Sequence, residues 1–350
     1  LSTSNLFERI KPTIFGVLLA FGIGAVLIVM GGANPLDAYA GLLAGAFGGV
    51  YRISETILKM IPLLLAGLGA IVAFRAGVWN IGLEGQIVMG SAAAAWVALA
   101  APELPAPLLL PIVIIGGFIA GALWGLVPGV LKAKFETNEI FTTIMLNSIA
   151  ILFVTYLVVG PMRDASAIYA RSFYIPEAAK LPTLLAGTRF HAGLIIAIIC
   201  VVLVWVLLWK TSAGYTLRTV GANRRAAVYS GISVKRSILI TMFISGGLAG
   251  LAGMGEVCGV HYYLGAGLTI TYGYTAVMVA LMGKLNPYAT VISAFLFSAL
   301  IVGGDSMQRA AGISSTLINV LQGLVIITVV AAEILFNKEE RKWLSSQLRV

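Results

Sequence analysis

The fold this sequence predicts is an all-α polytopic membrane protein of about ten transmembrane helices, and three observations predict it. Hydrophobic residues make up 59% of the 350 residues and the mean hydropathy is +0.99, above what soluble domains show. Only 11% of residues are charged, and the charges gather between long apolar runs. Gly is abundant (40 residues) and lies inside those runs, as at Gly116–Gly117 and Gly246–Gly247. In water such glycines weaken helices, whereas in a bilayer they let helices approach closely.

A spanning helix needs about 20 mostly apolar residues. Taken in order, the runs near 13–33, 57–74, 83–101, 108–131, 140–159, 190–209, 237–257, 272–283, 288–304 and 317–336 qualify. The first is too long for the core of a cleavable signal peptide, although Gly31–Gly32–Ala33 faintly resembles a cleavage site, and it reads as an uncleaved span. The runs 272–283 and 288–304 are short, and fit a broken or re-entrant pair as well as two full crossings. Together the spans form one transmembrane domain over residues 1–350. They divide five and five around an external loop, 160–189, and an odd number per half inverts the second half, as in many transporters. That loop is mixed in charge, bounded by Pro161 and Pro182, and suits packing over a cavity mouth or meeting an external protein.

Orientation follows from the basic residues. With the N-terminus inside, sixteen of the 23 Lys and Arg face the cytoplasm: Arg9, Lys11, Arg75, Lys132, Lys134, six in 210–236, Lys284 and four at the C-terminus. Both termini are then cytoplasmic, and the net charge of +9 needs no nucleic acid to explain it. Cys200 and Cys258 offer neither a disulfide framework nor a metal spacing. His191 and His261 are far apart and unaccompanied in the sequence, and read as interfacial structural residues.

The most informative stretch is KTSAGYTLRTVGANRRAAVYSGISVKR, residues 210–236, with six Lys/Arg and no acid between two apolar runs. Within it, Ala222–Gly231 reads as a short helix with its own start and stop. Asn223 is a good N-cap, Arg224 to Ser230 supply about two turns, and Gly231 suits the left-handed position after the helix. Ser233 then caps the next helix. A short capped helix beside a membrane suits docking onto another protein.

Polar residues inside spans are costly and usually face a cavity or a partner. The best cluster is RAGVWNIGLEGQ, residues 75–86, where Asn80, Glu84 and Gln86 lie among Gly77, Gly82 and Gly85. It reads as a gate or part of a translocation path, or else as a cytoplasmic turn in which Glu84 pairs with Arg75 and Asn80 caps a helix. Asn138, Thr142, Thr143 and Asn147 return to one helical face and line a pore or bond a neighbouring helix. Glu256, His261, Tyr262 and Tyr263 form an interfacial belt first and a substrate entrance second. Asn319 and Gln322 in the last span are equally ambiguous. No G-x-x-x-x-G-K-[ST], H-E-x-x-H or G-x-S-x-G occurs, so the sequence points away from an enzyme. A secondary carrier is the competing class, but it has no need of an acid-free docking loop.

Three segments carry a resemblance: FRAGVWNIGLEGQIVMGS (74–91), LKAKFETNEIFTTIMLNSIA (131–150) and TSAGYTLRTVGANRRAAVYSGI (211–232). Together they resemble the permease subunits of ATP-binding-cassette importers for branched-chain amino acids, simple sugars and nucleosides. The T-N-E-x-x-T-T-I-M-L-N pattern is most similar to nucleoside permeases, with Phe141 a departure where a β-branched aliphatic is expected. The resemblance implies a type II permease, like vitamin B12 importers, in a bacterial plasma (inner) membrane. It implies as partners an ATPase subunit that holds ATP and Mg, a second permease (a paralogue or a copy), and an external solute-binding lipoprotein or periplasmic protein. No cofactor is expected in this chain. It further implies that 210–236 is the coupling loop, with Gly221, Ala222, Asn223, Arg224, Arg225, Ala226, Ala227 and Gly231 meeting the ATPase. The alanines would enter its groove and the arginines would orient the contact. Asn80, Glu84, Gln86, Thr143 and Asn147 are the candidate path or gate residues. Nucleosides lead as substrate; simple sugars, riboflavin-like compounds and branched-chain amino acids are the alternatives.

Overall fold

The computed structural model describes residues 3–267, 271–314 and 316–336. The chain is all-helical there, with isolated β-bridges and no strand among the described residues. Among the described residues, eight helices are long and apolar enough to cross a membrane. The four basic residues at the C-terminus that entered the orientation count lie outside the described residues.

The helices fall in two compact units, Leu1–Thr56 with Leu296–Val350, and Ile57–Phe295. In the first, α1 (Thr3–Met30) packs along α13 (Thr316–Phe336), with the Thr328 hydroxyl donating to Gly16 O at 2.6 Å. The short α2 (Pro35–Phe47) starts where Asn34 accepts the Leu36 amide and Pro35 occupies the first turn. The hydropathy reading placed no helix there.

The second unit holds most of α3 (Val50–Arg75), then α4 (Leu83–Ala100), α5 (Ala106–Phe135), α6 (Glu139–Val159), α7 (Gly193–Lys210), α8 (Ser212–Ala222), α9 (Arg224–Tyr229), α10 (Val234–Glu256) and α11 (Tyr272–Met282). Its centre is the mutual packing of α4, α5 and α10. Glycines recur every fourth residue on α5, at 117, 121 and 125, and meet Gly246 and Gly250 of α10. A Cβ on Gly121 would lie 2.6 Å from Gly250 Cα, and one on Gly125 would lie 2.6 Å from Met242 O. On the other side of α10, Gly250 abuts Gly90 and Gly253 abuts Ile87 O, both in α4. Here backbone touches backbone, so the small-residue reading of the intramembrane glycines holds for this trio of helices.

Two expectations change. Residues 210–236 are not a loop with one short helix: α8 precedes α9 and is capped by Thr211, which accepts the Gly214 amide at 3.1 Å. Of the short pair, only one member is short. α12 (Pro287–Ala311) is full length, whereas α11 has 11 residues. At about 1.5 Å per residue that is roughly half of a hydrocarbon core about 30 Å thick. Tyr262 and Thr271, both before α11, are left-handed (φ 64° and 84°), and the helix runs beside the later part of α3, where Gly67 faces Val279 and Ala276 O.

Replacing Gly121 by Val drives a side chain into the α10 backbone and is expected to cost at least the ~1–3 kcal/mol typical of overpacking. The thermal unfolding midpoint in detergent should fall for Gly121→Val and stay near wild type for Gly22→Val, because nothing lies within 4 Å of a Cβ at Gly22.

Candidate functional site

The junction between α3 and α4 gathers the intramembrane polar residues. α3 ends in a glycine-terminated turn: Gly77 takes φ +69°, its amide donates to Phe74 O at 3.0 Å, and the Val78 amide donates to Ala73 O at 3.0 Å. Asn80 and Gln86 then pair through both amide groups, at 3.0 and 3.2 Å, and Asn80 Nδ2 also donates to Ser245 Oγ of α10 at 2.8 Å. Asn80 Oδ1 accepts the Gly82 amide at 3.0 Å, a turn that leads into α4. Asn147 of α6 accepts the Gly85 amide at 2.8 Å and donates to Ile81 O and Tyr274 Oη at 3.0 and 3.1 Å. Thr143, one turn earlier, donates to Glu139 O of its own helix and blocks any side chain at Gly82.

Glu84 is fully buried and accepts two backbone amides of the α11 entry, Thr271 on Oε1 at 3.0 Å and Gly273 on Oε2 at 2.7 Å. A Cβ on Gly273 would overlap Glu84, so glycine is required there. Glu84 does not pair with Arg75, as the turn reading had it. Arg75 instead donates to Leu285 O at 3.1 Å and Lys284 O at 3.3 Å, just past the other end of α11. All of Asn80, Glu84, Gln86, Thr143 and Asn147 thus meet at one buried knot, and their hydrogen bonds go to protein groups. Ser245, Tyr274 and Gly273 belong to it too, and sequence reasoning missed them. A hydroxyl in the middle of a span was the one available sign. Phe141, the departure from the nucleoside pattern, is exposed on the outside of the chain.

The loop helix α9 has the caps its sequence calls for. Asn223 accepts the Ala226 amide at 3.1 Å; Gly231 takes φ +76°, and the Ile232 amide donates to Ala227 O at 2.9 Å. Ser233 caps α10 by accepting the Arg236 amide at 3.4 Å. Ala222, Asn223, Arg224, Arg225, Ala226 and Gly231 are exposed, but Ala227 is completely buried and faces the body of the protein. Val228 and Tyr229 are exposed in its stead, Tyr229 at 93%. Gly221, at the end of α8, lies against Arg75 O and Gly77, and Arg224 donates to Gly77 O at 3.0 Å. Beside α9 a cavity of about 630 Å³ is lined by Lys132, Glu136, Arg225, Val228, Tyr229 and Lys235.

Residues 52–330 match the sequence profile of the family described as branched-chain amino acid transport system, permease component. The chain belongs to this permease family. Among curated relatives it is 34% identical to the guanosine ABC transporter permease protein NupP of Bacillus subtilis over 334 residues, 94% of each chain. It is 34% identical to the glucose ABC transporter permease protein TsgB13 of Haloferax volcanii over 328 residues, 91% of this chain and 86% of the relative. It is 32% identical to the nucleoside ABC transporter permease protein NupB of Lactococcus lactis over 339 residues, covering 93% and 92%. No solved structure matches the chain significantly. The permease is therefore a multi-pass membrane transport subunit and not an enzyme.

At the far end of α10 the permease holds a second polar group. Glu256 is 1% exposed, 3.3 Å from His261 Nε2 and 3.9 Å from Lys59 Nζ, while Lys59 donates to the Tyr272 hydroxyl. Residues Val257–His261 form a wide π turn that brings His261 back over Glu256. The interfacial-belt reading fits Tyr262 and Tyr263, which stay partly exposed, but not buried Glu256. Neither histidine is unaccompanied in the fold: His191 is buried, accepts the Gly193 amide on Nδ1 at 3.0 Å, and lies against Gly259. The loop 160–189 is bonded along this turn, with the amides of Ser172, Ile175 and Leu181 donating to Leu264 O, Tyr262 O and Cys258 O.

For the knot, Asn147→Ala leaves the Gly85 amide unpaired and is expected to cost about 1–3 kcal/mol. That loss would be read as a lower unfolding midpoint at pH 7.

Proposed function

We propose that this chain is the permease subunit of an ATP-driven importer, forms the translocation path for a neutral polar solute, and that the solute is a nucleoside. The observation that carries the coupling half is α9: a doubly capped helix, exposed along Arg225, Ala226, Val228 and Tyr229, and anchored by buried Ala227 and by Arg224 on Gly77 O. Exposed small and aromatic side chains on a rigid, anchored helix suit insertion into a groove of a cytoplasmic ATPase subunit. Arg224 and Arg225 add orientation more than affinity. The ATPase would hold ATP and Mg; this chain would supply the path and the lever.

In this reading residues 1–350 form one permease domain of ten crossings in two inverted five-helix halves, of type II. Its coupling loop is 210–236, its external loop is 160–189, and both termini are cytoplasmic at a bacterial inner membrane. The eighth crossing would include α11. A second permease and an external solute-binding protein complete the importer. Two relatives whose names specify guanosine and nucleosides support the substrate. Asn80, Glu84, Gln86, Thr143 and Asn147 serve as a gate more readily than as the path lining, because each is already bonded to protein. The glucose permease among the relatives favours a sugar as the second reading.

Tagged chain purified from its native membrane in mild detergent should bring down an ATPase subunit, a related permease and a solute-binding protein. The ligand of that binding protein then decides between nucleoside and sugar, and a chain that purifies alone in several detergents would count against the importer. Ala226→Trp should abolish uptake while membrane insertion and folding persist; normal uptake removes α9 from coupling.

A further inference from the structure

Arg75 and Glu84 sit at opposite ends of the same half-length helix. The start of α11 is closed by the Glu84 oxygens on the Thr271 and Gly273 amides, at 3.0 and 2.7 Å. Its exit, where Lys284 and Leu285 both take φ 53°, is closed by the Arg75 guanidinium on their carbonyls, at 3.3 and 3.1 Å. The acid complements the partial positive charge of the leading amides of the helix, and Arg75 holds the carbonyls of the turn that follows its last residue, Met282. Residues 75–84 are therefore a clamp whose two ends grip one short helix. The docking loop touches that clamp between its ends, at Gly77, which lies against Gly221 and accepts Arg224.

We infer that Arg75 and Glu84 are positioning residues that hold α11 as the gating element of the pathway, and that residues 75–84 carry movement of α9 to it. This rests on the proposed ATPase-facing role of α9. An 11-residue helix can shift by releasing these latches, without sliding a full span through the glycine-packed contact of α4, α5 and α10. Release leaves a buried carboxylate and two amides unpaired, which opposes spontaneous opening and makes the step depend on an external source of energy. Arg75, half-exposed and also stacked over Trp209 at 5.5 Å, is the latch nearer the docking loop.

The test uses the whole importer in lipid nanodiscs, with Cys200→Ala, Cys258→Ala and a reporter at Thr275→Cys on α11, a position that is 6% exposed. Labelling by a membrane-impermeant thiol reagent is followed with and without ATP, beside solute transported per ATP hydrolysed. Glu84→Gln and Arg75→Gln should each speed nucleotide-free labelling roughly tenfold, the factor for losing a charged hydrogen bond, and lower transport per ATP to a similar degree. Arg75→Lys should restore most of the ratio. Labelling and coupling at wild-type values in both variants would overturn the clamp. Should the buried Glu84→Gln protein fail to accumulate, Arg75→Gln decides alone. Ala226→Trp separates this from the parent reading: normal uptake in that variant sinks the docking role and the transmission step, whereas abolished uptake with unchanged labelling in Arg75→Gln sinks only the clamp.

Discussion

Backbone contact between α10 and its neighbours α4 and α5 is the constraint on which the functional region depends. Gly246 and Gly250 meet Gly117 and Gly121 on one side, and Gly250 and Gly253 meet α4 on the other. With no side chains between the helices, polar groups a residue or two away fall within hydrogen-bond reach. Ser245, next to Gly246, reaches Asn80 at 2.8 Å for that reason, and Asn80 in turn pairs with Gln86. A bilayer offers these groups no water, so each buried amide and carboxylate must be satisfied by protein. The close helix contact makes that possible.

The knot that results fastens several helices to one another. Asn147 ties α6 to the start of α4 through Gly85 and Ile81, and reaches α11 through Tyr274. Glu84 ties α4 to α11, and Arg75 ties the end of α3 to the exit from α11. Irregular backbone at membrane depth is tolerated only where protein surrounds it, and the approach to α11 has such company in Glu84. The transport subunit thus keeps the buried Glu84 carboxylate on the amides at the start of α11, where a partial positive charge is waiting.

The sequence was most legible where a residue acts on its near neighbours. Asn223, Gly231 and Ser233 each do what a capping residue of their type does, because the groups they satisfy lie within a few positions along the chain. Apolar runs were legible for the same reason, since length and composition alone decide whether a helix can span a membrane. Orientation of a helix face was less so. Ala227 was grouped with Ala222 and Ala226 as small outward residues, yet it is buried, and Val228 and Tyr229 take the exposed face. In a six-residue helix there is too little periodicity to tell the inner side from the outer.

Class, the existence of most long apolar helices, the caps and the family were determined by the sequence by itself. Only the tertiary structure decided which partner each buried polar group takes. Arg75 and Glu84 are close enough along the chain to suggest a salt bridge, but their partners lie 210 and 189 residues away. Asn80 likewise finds Ser245 165 residues on. The histidines, unaccompanied in sequence, come beside Glu256 through the π turn and the packing of Gly259. Local hydrogen bonds are selected by covalent proximity, whereas a buried carboxylate or guanidinium takes whichever backbone groups the packed helices leave unpaired at its depth.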